Sequence, residues 1–517
     1  MPALSLSRDE LYEKEWRSRF DAPLSRAPAF LVLAFLLIFI TLRFNYGRGF
    51  LPSLCAALTA IAGWGMMGTR APNRSSLLMA VILITLSAAF ALHISSVIDG
   101  DVSPRSSFLS SEGEVVDISD GKFGRTALVK SGGVKYVLYI PLPRSPREAA
   151  QKIIDGDIVK FSGYVEPFEM AKENAKESQT PGRSLSAFDP YLYWKGRGAI
   201  AKVSYAEAEV TGHSRGIARW RGVLGERIKE TLPVRTSGYL LAALVGERDD
   251  ALTALHGEAG TSHLLAVSGA HVGIVFGVLW FFLRGFSFRL YLISVCLWIY
   301  AALAGAAPSA MRAAFMLQLL IIGRLAGRSG NAFNTVSAAG VIMLLWNPWL
   351  FWSVGWRLSV MSVLVLSAIP ALYIPSGCKA AAASPLVWLV TSAQSAWTFG
   401  TVPLAGLIAN FFALPVFGVL FPMSFALSLP ALIGLKFALP FAGVVHVAEA
   451  CFILWERLSR TIVALCPQEA HFSSALAIAA TAAASYLCAR GSGFSPSRAY
   501  IAAVINIAAV SVGLIFR

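Results

Sequence analysis

Carboxylates are missing from one long part of this 517-residue chain. Between Glu258 and Glu449 lie 190 residues with no Asp or Glu. The same interval keeps Arg284, Arg289, Arg312, Arg324, Arg328, Arg357, Lys379 and Lys436. That absence argues against a proton- or sodium-coupled carrier, which places acids within its helices. It also removes the acid that would orient a catalytic histidine there. Charge of both signs is scarce: 14% of residues are charged, against about a quarter in soluble domains. Cysteine is sparse too. The six, at Cys55, Cys296, Cys378, Cys451, Cys466 and Cys488, lie in or beside apolar runs and show no metal-ligand spacing. We expect no metal and no cofactor. The charged opening 28 residues lack the apolar core and small-residue cleavage site of a signal peptide, so none is expected. No phosphate-cradling glycine loop ending in Lys-Ser/Thr occurs, so a motive force would have to come from a partner ATPase or another gradient.

What is present is apolar. Hydrophobic residues make up 56% of the chain, in recurring runs of membrane-spanning length. The expected class is a polytopic α-helical membrane protein with an inserted extracytoplasmic small β-barrel, OB-like in strand count. A cytoplasmic N-terminal segment (1–27) precedes three transmembrane helices (28–98), with apolar runs near 28–42, 50–68 and 76–98. Arg8, Lys14, Arg17, Arg19 and Arg26 before the first run, and Arg70 and Arg74 after the second, place those ends inside. Residues 101–215 differ in kind. They hold 16 basic and 15 acidic residues and alternating runs such as "EGEVVDI", "GRTALVKS", "VKYVLYI", "GDIVKFSGYV" and "GAIAKVS", which read as strands of a small barrel. Residues 216–258 read as amphipathic helices, with Ile217, Trp220, Val223, Leu224 and Ile228 on one face. Residues 259–517 read as a multi-helix transmembrane domain, with eight to ten helices from Ser262 onward. The net charge of +14 therefore sits mainly in the membrane parts.

The stretch "TSHLLAVSGAHVGIVFGVLWFF", residues 261–282, reads as one spanning helix. Gly269, Gly273 and Gly277 repeat every four residues, a ridge on which a neighbour can pack closely. His263 and His271 are eight apart, not the four of a helical chelating pair. Ser268 and His271 are three apart and so adjacent on a helix. They admit three readings: interhelical hydrogen bonds, a polar path, or a serine hydrolase without an acid. Arg312 follows Pro308 and Ser309, and Arg357 follows the Asn347-Pro348 break. Each enters an apolar helix, either snorkelling to the interface or facing a water-lined path. Pro403, Asn410, Pro415 and Pro422 interrupt a further run, as in helices lining a cavity. Cations without acids suit an anionic substrate: a nucleic-acid backbone, a lipid phosphate or another polyanion.

Taken in order, "LLAALVGERDDAL", "GTSHLLAVSGAHVGIVFGVL", "AGAAPSAMRAAFM", "NTVSAAGVIMLLWNPWLFWSVGWRLSV" and "TVPLAGLIANFFALPVFG" resemble the motifs of the ComEC competence family. "GDIVKFSGYVEP…FDPYLYWKGRGAIAKV" resembles that family's extracytoplasmic OB domain. The resemblance covers about residues 30–470. It implies an inner-membrane channel that passes single-stranded DNA into the cytoplasm in natural transformation. The implied motif residues are His263, Ser268, Gly269, His271, Gly273, Pro308, Ser309, Arg312, Arg357, Ser359 and Asn410. Arg125, Lys130, Lys135 and Lys160 are candidate DNA contacts on the barrel. Implied partners are a DNA receptor, a separate nuclease, a cytoplasmic ATPase and a second copy of the chain. Ala270 stands where the family has Leu, and residues 356–360 depart from its Phe-Gln-Leu-Ser-Phe run. No His-x-His-x-Asp-His cluster occurs, so no nuclease domain and no enzymatic activity are expected. The alternatives are a carrier or flippase for another anionic polymer or lipid, and an intramembrane serine hydrolase.

Overall fold

The computed structural model describes residues 27–45, 54, 74–100, 104, 106–121, 124–141, 153–168, 190–327, 331–432 and 438–515. Nearly all of the expected N-terminal segment and of the second apolar run, with Arg328 and Lys436, lies outside these residues. The first and third runs form helices α1 (Pro28–Asn45) and α2 (Arg74–Asp99). Along α1, Leu33, Leu36 and Phe39 are buried in the largest apolar core.

The five strand-like runs are five strands: β1 (Ser107–Gly121), β2 (Gly124–Ser131), β3 (Val134–Pro141), β4 (Asp157–Pro167) and β5 (Ala199–His213). They close in the order β1-β2-β3-β5-β4. β3 and β5 pair in parallel, and the other pairs are antiparallel. Closure removes free edges. Alternation drives it: β4 buries every second residue, and Val115, Val129, Leu138, Val159, Phe161 and Val203 fill the interior.

Two joints seat the barrel on the helices. The short helix α3 (Pro190–Gly196) lies against a 3-10 turn, Pro348–Trp352. There Asn347 Nδ2 donates to the Gly196 carbonyl at 2.8 Å, and Lys195 sits 4.6 Å from the Trp349 ring centre. The second joint is α4 (Ile217–Thr231). Its apolar face is split: Ile217, Trp220 and Val223 are exposed, while Ile228 is buried together with Arg221, Gly222 and Gly225. Ile228 packs in an apolar cluster with Leu240, Leu241 and Val245, while toward the barrel the helix docks through Arg221, because the barrel offers carboxylates there. Arg221 meets Asp155 at 2.7 Å and also Asp117, and Arg197 meets Asp117 at 2.5 Å. Arg221 also reaches the helical region at Gly305, whose φ of +70° and lack of a side chain admit the guanidinium.

The remaining helices are α5 (Val234–Leu240), continued by a π-turn to Val245, α6 (Asp250–Glu258), α7 (Gly269–Phe282), α8 (Arg289–Leu303), α9 (Pro308–Leu325) and α10 (Ala332–Trp346). After them come α11 (Val354–Ala368), α12 (Ser376–Phe399), α13 (Ala405–Leu432), α14 (Ala438–Leu465), α15 (Ser474–Gly491) and α16 (Pro496–Ile515). A two-stranded ribbon pairs Thr401–Pro403 with Glu469–His471. Ten helices from Ser262 onward among the described residues match the expected eight to ten. Length and apolarity together single out fewer of the described helices as full spans. Ala80–Asp99 and Val354–Ala371 are long and apolar enough to cross a membrane, and the pair Ala405–Ala413 and Pro415–Leu429, bent by 50°, makes a third if counted as one span. Pro28–Arg43, Val234–Val245, Gly269–Phe282, Arg289–Leu303 and Ala332–Trp346 are apolar but shorter.

Candidate functional site

Residues 261–282 are not one helix. A 3-10 turn, Ser262–Leu264, is followed by a break, and α7 starts only at Gly269. The reason is Ser268. Its side chain caps the helix by accepting from the His271 amide, while the His271 ring accepts at Nδ1 from the Ser268 amide at 3.1 Å. This reciprocal arrangement is a capping box, with histidine in the place usually held by Glu or Gln. Since Nδ1 accepts an amide proton, the ring proton is assigned to Nε2. Ser268 Oγ also lies 3.2 Å from Nδ1. The ring packs edge-on to Phe421 of α13, 4.4 Å between centres.

The break turns residues 259–268 into a loop on which the motif residues converge. Asn410 of α13 donates to the Gly260 carbonyl at 3.3 Å. Gly260 and Gly406 touch so closely that a Cβ on Gly260 would stand 2.8 Å from the Gly406 Cα. From the other side, Ser309 of α9 donates to the Val267 carbonyl. One turn on, Arg312 is buried and donates to the Ser359 carbonyl of α11. Its Nη2 would lie 2.9 Å from a Cβ on Gly269. The loop is thus clasped by α13, α9 and, through Arg312, α11. Pro308 supplies the first residue of α9, where its fixed φ suits a helix start.

Burial divides the eleven residues. His271 and Arg312 are buried, while His263 and Gly273 are exposed. Ser268, Gly269, Pro308, Ser309, Arg357, Ser359 and Asn410 are half-buried. Arg357 Nε and Asn410 Oδ1 have no hydrogen-bond partner among the described residues. The glycine ridge is not a packing ridge along its length. Gly269 meets Arg312, but a Cβ on Gly273 or Gly277 would meet nothing within 4 Å. Among the described residues, no three His, Cys, Asp or Glu side chains gather as metal ligands.

A buried chain behind the loop escaped sequence reasoning. The Tyr239 hydroxyl contacts His256 Nε2 at 2.8 Å, and His256 Nδ1 contacts Thr261 Oγ1 at 2.7 Å. Phe452 stacks on Tyr239 at 4.2 Å. Glu449, the first acid after the long gap, accepts from the amides of Arg235 and Thr236 at the start of α5. Only the Ser-x-x-His spacing carried a readable signal, that of a capping box.

The four basic candidates on the barrel do not form one patch. Lys130 and Lys135 are cross-strand neighbours. Burial and the nearby Arg197 and Lys130 lower the Lys135 pKa, and its ammonium donates to the Arg197 carbonyl. Lys160 lies opposite Glu112 on one side and Glu209 on the other. Arg125 lines a cleft of about 490 Å³ with Tyr139, Glu166, Lys202 and Tyr205. Lys202 pairs with Glu166 at 3.4 Å and sits 5.1 Å from the Tyr139 ring centre. Tyr205 adopts φ +52° at a register shift between β4 and β5, which turns its ring outward, 81% exposed. Next to it, exposed Tyr164 packs on exposed Phe108. Lys202 and Tyr205 were not among the expected contacts.

Residues 243–456 match the family of competence proteins. Among curated proteins, ComE operon protein 3 of Bacillus subtilis (strain 168) is 33% identical over 136 residues, 25% of this chain. The match covers 17% of that protein's own length. No solved structure matches the chain. The matched region contains the whole loop and the helices that clasp it, the same residues on which the sequence motifs rested.

Proposed function

We propose, from the premise that residues 243–456 form a ComEC-type competence domain, that the protein takes up DNA in natural transformation as an integral membrane channel for a single strand. The observation that carries this reading is the convergence of the motif residues on loop 259–268, inside the matched region. The clasped loop fixes the chain where helices break, the arrangement by which irregular backbone is tolerated at membrane depth. Arg357, half-buried with an unpartnered Nε, is the side chain we assign to backbone-phosphate contact. Arg312, His271, Ser309 and Asn410 hold the helices around the path. The barrel lies outside the cytoplasm and receives the strand on its aromatic face at Tyr205, Tyr164 and Phe108, with Arg125 and Lys202 beside it. Stacking on such rings tolerates any sequence. A DNA receptor, a separate nuclease, a cytoplasmic ATPase and a second copy of the chain are the partners of this scheme.

The test is uptake of labelled DNA in a strain deleted for the gene and complemented with variants. Loss of cytoplasmic label on deletion is expected, and normal entry would overturn the reading. Arg357→Gln should lower uptake at unchanged protein level. Ser268→Ala separates channel from hydrolase. As a helix cap it should cost about 1 kcal/mol of stability and leave measurable uptake, whereas complete loss with intact folding would favour chemistry at Ser268. No enzymatic step is assigned to this chain.

A further inference from the structure

At one end of the α7–α8–α9 hairpins three arginines gather with no acid beside them. The end of α7, the start of α8 and the end of α9 meet there, so residues far apart in sequence share one corner. Arg289 lies 4.3 Å and Arg324 5.0 Å from the centre of the same Trp280 ring. Arg284 lies 5.0 Å from the Phe281 ring and is tied to Arg289, which donates to its carbonyl at 3.1 Å. None of the three forms an ion pair among the described residues, and the sequence supplies no Asp or Glu from residue 259 to 448. Ring faces attract cations but leave their charge uncancelled. Three such cations repel one another unless an anion joins them.

The surroundings say which anion. Phe282 and Phe288 beside the arginines are 73% and 53% exposed. Below Arg289, α8 presents Tyr291, Val295 and Ile299, one per turn, at 64%, 56% and 51% exposure. The opposite side of the same helix, Ile293, Leu297 and Ala301, is buried. A cationic head thus stands over a continuous apolar stripe running down one helix. A nucleic-acid strand would satisfy the arginines but leave the stripe bare. A diacyl phospholipid with a net negative headgroup satisfies both: phosphate at the guanidiniums, acyl chains along the stripe, and the Trp280 indole at headgroup level, where tryptophan concentrates.

We propose that Arg284, Arg289 and Arg324 form a binding site for one anionic phospholipid on the cytoplasmic end of these helices. The proposal rests on the membrane reading above but not on DNA as the cargo. The site fixes the α7 end opposite to the clasped loop, so bound lipid would steady the helix that carries Ser268 and His271.

The test uses the full-length protein, delipidated in neutral detergent and mixed with dioleoylphosphatidylglycerol or dioleoylphosphatidylcholine, with retained lipid read by native mass spectrometry. Retention of phosphatidylglycerol over phosphatidylcholine is expected. The triple Arg→Gln variant should weaken it on the order of a hundredfold, and the triple Arg→Lys variant should restore much of it. Arg457→Gln, an exposed position on α14, should change nothing. Equal retention of both lipids, or wild-type retention in the triple Gln variant, overturns the site. Displacement of phosphatidylglycerol by a short single-stranded oligonucleotide at the same ionic strength would also overturn it, by making the corner a nucleic-acid contact. Alkaline extraction of the same variants from membranes reports insertion separately, so failure of the membrane reading is not mistaken for failure of the lipid site.

Discussion

In the barrel and α4, four cations meet carboxylates: Arg221 with Asp155 at 2.7 Å, Arg197 with Asp117 at 2.5 Å, Arg219 with Asp157 at 2.7 Å, Lys202 with Glu166 at 3.4 Å. In the acid-free interval, Arg312 meets a backbone carbonyl, and Arg289 and Arg324 share the face of one tryptophan. The first region sets charge against charge. The second holds its cations with dipoles and ring faces, so their positive charge remains available to an outside anion. An acid placed beside Arg357 or the Trp280 corner would cancel the charge that an anionic strand or headgroup needs. Paired charges join two parts of this molecule, while Arg312 joins helices without a carboxylate and Arg289 and Arg324 keep their charge over a ring.

The largest effect that would test the contrast is at the joint. Arg221→Met leaves the buried Asp155 without its cation, while Asp117 keeps Arg197, and should cost about 3–5 kcal/mol, read as a lowered thermal midpoint and increased proteolysis between barrel and helices. Arg221→Met combined with Asp155→Asn should recover part of that loss. If the double variant is no better, ion pairing is not what holds the joint.

Acidity tests the same joint. Burial pushes the Asp155 carboxyl from its ordinary 3.8 up to about 6; Arg221 opposes the rise and Asp117 adds to it. A carboxyl whose pKa is higher folded than unfolded binds its proton more tightly in the folded protein. Its stabilising contribution is therefore complete below about pH 4 and is lost as pH rises through about 6. The span is worth on the order of 3 kcal/mol. Amide exchange in α4, corrected for intrinsic rate, should be faster at pH 7 than at pH 5, and Asp155→Asn should remove the difference.

A smaller effect is expected at Arg312. No carboxylate is stranded when it goes, so Arg312→Gln should cost about 2 kcal/mol, the worth of a hydrogen bond from a charged donor. Thermal unfolding in detergent measures it. A loss as large as that of Arg221→Met would erase the distinction drawn between the two regions. The smallest effect belongs to the half-exposed Lys202–Glu166 pair. Glu166→Gln should change stability by less than about 1 kcal/mol while tightening oligonucleotide binding at the barrel cleft, because it frees Lys202. Weaker binding would contradict that role for the cleft.

Much of this was legible in the chain. All five barrel strands stood in the quoted runs, since alternation with period two is visible without tertiary contacts. The motif order pointed to the family whose model matches residues 243–456. Other features were hidden for definite reasons. The apolar run at residues 261–282 concealed the break before Gly269, because a Ser-x-x-His cap counts for little in a hydrophobicity pattern. The docking of α4 through Arg221 was hidden, because its partners are a pair of carboxylates more than sixty residues away. Tyr205 was missed because a bulge, not a composition, exposes it.

Sequence alone determined the barrel's strands, the acid-free interval and the motif residues, since each is a property of neighbours along the chain or of composition. Tertiary structure decided which residues meet: Ser309 with Val267, Asn410 with Gly260, Arg221 with Asp155 and Gly305, and Arg289 with Arg324 over Trp280. Those contacts depend on where loops return distant segments in space, which no local pattern of side chains encodes.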